Sequence, residues 1–137
     1  MVASNSSSPN ALRRALLLDA AASGAMGVLF LLAAGSLAGL LGLPVALLRY
    51  VGAFLILFAA ALLWIATRSN APAAVIRVIV VGNVLWVAAS VFLLVSGFVS
   101  PTPLGEAVIL AQAVVVLVFA YLEYSGLTKH QRVARSA

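Results

Sequence analysis

Long apolar runs alternate with short polar breaks along the chain. After MVASNSSSPN comes Arg13-Arg14, and from Ala20 to Val45 no charge interrupts 26 residues. A membrane-spanning helix needs about 20 such residues. Gly42-Leu43-Pro44 reads as a turn, with Pro44 opening a second run to Thr67. Arg68-Ser69-Asn70-Ala71-Pro72 is the clearest polar break. Ser69 or Asn70 is expected to cap the third helix, with Pro72 at its start. Ser100-Pro101-Thr102-Pro103 is the next break, with Thr102 placed as an N-cap, and Gly126 is a natural stop for the fourth helix. The spans expected are about 14–42, 44–67, 72–97 and 103–126. A tail at 1–11, read as flexible, precedes them, and a basic tail at 128–137 follows.

These segments lack the period-2 alternation of a membrane barrel. The expected fold class is all-α, an integral membrane up-down bundle of four helices in which short connections make sequential helices neighbours. Arg-Arg before an apolar run is also the form of a signal peptide. Its apolar region is about 7–15 residues long, shorter than the run here, so a retained span is the better reading.

Composition agrees with the pattern. Of 137 residues, 65% are hydrophobic and 8% charged. A soluble domain carries about 25% charged residues and could not hide so much apolar surface. Cysteine is absent, which excludes disulfides and thiol chemistry. The one histidine, His130, lies in the C-terminal tail, so no haem or zinc held by intramembrane histidines is expected. No metal, cofactor or catalytic residue is assigned. Nucleic acid is not an expected partner either, because the basic residues are dispersed and flank apolar runs.

Those basic residues set the orientation. Arg13, Arg14, Arg68, Arg77, Lys129, Arg132 and Arg135 fall on one side, and only Arg49 on the other. The excess of positive charge predicts that both termini are cytoplasmic. A charge inside a span costs about 2.5–3.5 kcal/mol on insertion scales and needs a reason. Asp19, Arg77 and Glu123 are expected at similar depth, near the cytoplasmic interface, with Arg77 between the two acids. Arg49 and Glu106 are expected to pair at the opposite side. Asn83, Trp86 and Ser90 share one face of the third span, at spacing i, i+3, i+7. Gln112 lies in a stripe with Glu123 on the fourth, and Ser23 with Asp19 on the first. If these faces converge, a thin polar seam joins Ser23, Asn83, Trp86, Ser90 and Gln112. Ion pairing and interhelical hydrogen bonding are the simpler readings of both sets, and a proton path the sharper one. Ala20-xxx-Gly24, Ser23-xxx-Gly27, Gly35-xxx-Gly39 and Ala107-xxx-Ala111 mark close-packing faces.

The stretches Leu18-Asp19-Ala20-Ala21-Ala22-Ser23-Gly24, Gly42-Leu43-Pro44, Gly82-Asn83-Val84-Leu85-Trp86 and Leu122-Glu123-Tyr124-Ser125-Gly126-Leu127 resemble small uncharacterised four-helix proteins of bacterial inner membranes. The likeness spans about residues 12–127. It implies a multi-pass protein of the bacterial inner (plasma) membrane and no particular activity. In size and helix count the chain also resembles small multidrug exporters, four-helix dimers with an acid in helix one, whose counterpart here would be Asp19. Their acid lies deeper, and the aromatic residues around their substrate are largely missing here.

The leading expectation is a non-enzymatic membrane protein, a homo-oligomer or an accessory subunit of a larger membrane complex, whose partners include the lipid bilayer. The alternative is a small proton-coupled transporter using Asp19 and Glu123. A lipid- or quinone-binding enzyme would need a reactive residue that the sequence does not offer.

Overall fold

A computed structural model describes residues 7–136. Among the described residues the chain forms five helices, α1 (Ser7–Leu32), α2 (Ala34–Leu41), α3 (Val45–Ala66), α4 (Ala73–Ser96) and α5 (Pro103–Ser136). Four of them, α1, α3, α4 and α5, are long and apolar enough to cross a membrane. Their outward faces carry side chains that water would disfavour and lipid accepts, such as Leu32 (81% exposed), Val95 (76%) and Leu57 (72%). The fold class is all-α, and the chain reads as a multi-pass membrane protein.

Both ends are more helical than the sequence pattern indicates. Of the N-terminal tail expected at 1–11, residues 1–6 lie outside the described residues, and helix begins at Ser7. Gly126, expected to stop the last helix, lies inside α5, which runs ten residues further. Its role is packing. A Cβ there would come 2.9 Å from Leu12 Cα, so the missing side chain lets α1 and α5 touch. No helix breaker follows it, and the Lys, Gln, Arg and Ala beyond are good helix formers.

The first apolar run breaks in two at Ala33. Backbone bonds continue across it, from Ala33 N to Leu29 O and from Leu37 N to Ala33 O, so the chain changes direction without leaving polar groups bare. Gly42 then caps α2 with φ +67°, a conformation glycine accepts at low cost. At the third span, Pro72 itself occupies the N-cap with no side-chain cap, where Ser69 or Asn70 was expected to serve. Thr102 does cap α5, its Oγ1 accepting from Gly105 N at 3.1 Å.

The close helix contacts are α1 with α3, α1 with α5, and α4 with α5. Gly27 and Gly52 set the first of these. A Cβ on either would come within 2.8 Å of the other's carbonyl oxygen. The helices α3 and α4, consecutive in sequence and expected to be neighbours, keep every Cα pair more than 8 Å apart. Aromatic side chains fill the gap between them. Phe54 stacks on Trp86 at 5.7 Å and on Phe58 at 6.2 Å.

Two apolar clusters close the ends of the bundle. Leu16, Leu62, Ile76 and Leu127 belong to one, at the end carrying Arg13 and Arg68. Ala34, Leu41, Leu48 and Ile109 belong to the other. The helices α1 and α2 meet α5 at both ends, at Leu12 against Gly126 and at Leu41 against Gly105. Thr102 adds hydrogen bonds there, from its N to Leu41 O at 3.0 Å and from its Oγ1 to Leu40 O at 2.6 Å. The polar residues lie between these two attachments.

Candidate functional site

Asp19 and Glu123 are the buried acids of the molecule, 1% and 0% exposed. Asp19 is the thirteenth residue of α1, and Glu123 has thirteen residues of α5 beyond it. Neither lies at a helix end. Between them stands Asn83 of α4, 4% exposed. Its Nδ2 donates to Asp19 Oδ2 at 3.0 Å and to Glu123 Oε2 at 3.3 Å. Ser23, one turn after Asp19, donates its hydroxyl to Asp19 Oδ1 at 3.0 Å.

These donors are fewer than the oxygens they serve. Two amide hydrogens and one hydroxyl meet four carboxyl oxygens. The fourth, Glu123 Oε1, is buried with no hydrogen-bond partner. Such an orphan is uncommon in native structures and points to a missing proton, water or ion.

Arg77 does not complete this cluster. It is exposed, and the hydrogen bonds it was expected to supply come from Asn83 and Ser23. Depth explains the difference. Arg77 is only the fifth residue of α4, whereas Asn83 is the eleventh and reaches the level of Asp19. Arg49 and Glu106 are both exposed at the other end, and no hydrogen bond joins them among the described residues.

A second polar group sits further along α4 and α5. Trp86 Nε1 donates to Gln112 Oε1 at 2.8 Å. Gln112 Nε2 donates to Ser90 Oγ at 2.9 Å and to its own helix at Ile109 O, 2.8 Å. Ser90 Oγ donates to Trp86 O at 2.8 Å. Every donor here has an acceptor, so the loop closes on itself. Ser23, Asn83, Trp86, Ser90 and Gln112, expected as one seam, are thus divided between two hydrogen-bond networks.

Cavities lie between the networks. A space of about 330 Å³ is bounded by Ser23 and Met26 of α1, Leu55 of α3, Trp86 of α4, and Gln112 and Phe119 of α5. Ala22, Ala111 and Val115 at its margin are exposed, so it opens sideways between α1 and α5. This is the stretch between the two points where those helices are fastened. A smaller space of about 70 Å³ touches both Ser23 and Asn83, with room for water. Ser23 therefore joins cavity to carboxyls. It lines the larger space while donating to Asp19.

The arrangement can bind a positive charge at two carboxyl groups beside an apolar chamber that a lipid-soluble molecule can enter. The orphan oxygen and the cavity are what sequence reasoning missed. The only signal for them was the excess of acids over basic residues at mid-helix depth. No protein-family model matches the chain, and neither does any curated protein or solved structure.

Proposed function

We propose that the chain is a small proton-coupled transporter that exchanges protons for a lipophilic cation through Asp19 and Glu123. It sits in the bacterial inner membrane as an up-down bundle with both termini cytoplasmic. The seven-to-one division of basic residues supports that orientation. Gly24 against Ala59 and Gly27 against Gly52, with α1 advancing as α3 returns, support the up-down order.

The single observation that carries the transport reading is the buried carboxyl pair with its unpartnered oxygen. Burying an anion costs several kcal/mol even after relaxation, and two adjacent anions repel each other. Three hydrogen bonds from neutral donors do not offset this. A proton or a bound cation must supply the positive charge, and exchanging one for the other is the elementary step of coupled transport. The neighbouring cavity fits the cation's apolar part, with Trp86 and Phe119 in its wall.

The test uses proteoliposomes with an acidic interior and ethidium as the probe cation. Wild-type protein should accumulate ethidium with the gradient, and Asp19→Asn should abolish the accumulation while unfolding at the wild-type temperature. Equal accumulation by Asp19→Asn, or none by the wild type, contradicts the reading.

The unpartnered outer face of α2 favours a second reading, a non-enzymatic subunit of a homo-oligomer or larger complex. Gly35 and Gly39 are exposed, and nothing beyond the local backbone of their own helix lies within 4 Å of where their Cβ would stand. Small residues four apart let helices approach closely. That reading expects Gly35→Leu with Gly39→Leu to convert an oligomer to a monomer in mild detergent. A wild-type monomer in native-lipid nanodiscs contradicts it.

A further inference from the structure

The cavity at the basic end of the bundle is a separate feature, distinct from the carboxyl pair. It measures about 130 Å³ and is formed where three segments converge. Arg13 comes from α1, Arg68 and Ser69 from the connection after α3, and His130 from α5. No acid lines it, although its floor is apolar, with Leu16 and Leu127 among the floor residues. We infer that this cavity binds the phosphate of an anionic lipid headgroup.

Position, charge and shape support the inference together. The 34 residues of α5 extend about 51 Å at 1.5 Å per residue, well beyond a hydrocarbon core of about 30 Å. The turn carrying His130 therefore emerges at headgroup level. Arg68 lines the cavity, and its guanidinium carbon lies 4.3 Å from the centre of the neighbouring Trp64 ring. The N–H edge of a guanidinium matches two phosphate oxygens. Arg13 approaches from another helix, and the Ser69 hydroxyl and a His130 ring N–H add donors. The site thus offers two fixed positive charges and two neutral donors. The apolar floor separates lipid from free phosphate as the occupant. Leu12 and Ile65, partly exposed in the cavity wall, suit the glycerol and upper acyl carbons, and would be wasted on an inorganic ion. Basic pockets between spans at the cytoplasmic side are a known physical solution for anionic headgroups.

The experiment measures lipid retention by native mass spectrometry. Protein is released from micelles holding equal phosphatidylglycerol and phosphatidylcholine, with and without inorganic phosphate. Wild type is expected to retain phosphatidylglycerol preferentially, and excess phosphate should not displace it. Arg13→Ala with Arg68→Ala should reduce that retention by about tenfold or more, since each contact near the surface contributes measurably. Arg68→Lys should keep part of it, and Arg49→Ala, which removes one positive charge elsewhere, should leave it unchanged. Recovery of the wild-type helical circular dichroism by the double variant separates lost binding from lost folding. Equal retention of both lipids by wild type overturns the inference. So does unchanged retention by the folded double variant, or displacement of the lipid by phosphate.

Discussion

The two polar networks share α4 and α5, only the one around Asp19 reaching α1, and they do opposite things. Trp86, Ser90 and Gln112 bring four side-chain hydrogens and find an acceptor for each. Asp19, Ser23, Asn83 and Glu123 bring three hydrogens to four carboxyl oxygens and leave Glu123 Oε1 bare. A balanced network holds helices together and has nothing left to offer a ligand. An unbalanced one stores a demand that a proton or cation can meet. The comparison separates glue from site by counting donors, which burial alone would not have done, because Ser90 is buried at 8% much as Asn83 is at 4%.

Thermal unfolding in detergent can break the comparison. The largest effect is expected for Asn83→Leu, which strips the donor shared by both acids and leaves three carboxyl oxygens bare. A loss of about 3 kcal/mol is predicted, because bonds to charged groups are the strong ones and stranded charges the costly ones. A smaller loss, about 1 kcal/mol, is expected for Gln112→Leu, typical of an interhelical hydrogen bond in a membrane. Reversal of that order would mean that the closed network is the structural keystone and the carboxyl pair incidental.

The membrane class, the four apolar spans and the identity of the buried acids were all legible in the sequence. Charge scarcity did most of this, since each intramembrane acid stands out against 65% hydrophobic residues. Which residue faced those acids was not legible. Position along α4 decides it, because Arg77 is one turn into the helix and exposed, whereas Asn83 stands six residues further on, level with Asp19 and Glu123. The fourth span was expected to end at Gly126, whereas α5 continues to Ser136. Gly126 misled for a physical reason. A glycine that ends a helix and a glycine that lets another helix pass look the same in sequence, and only the contact with Leu12 tells them apart.

The separation of α3 from α4 was hidden for a similar reason. Short connections normally imply neighbours, and the connection from Thr67 to Pro72 is short. Phe54, Phe58 and Trp86 override it by their bulk. The kink at Ala33 has no proline or glycine at the break to announce it. It redirects the chain so that α2 meets the start of α5, and the wall between α1 and α5 is left open at mid-height.

The most direct test of the central claim is proton release on cation binding. Ethidium is added to detergent-solubilised protein in weakly buffered solution, with a pH indicator reading free protons. The carboxyl pair acting as an exchange site predicts a proton released for each cation bound, and no release from Asp19→Asn with Glu123→Gln. Cation binding without release, or release that persists in that double variant, would contradict it.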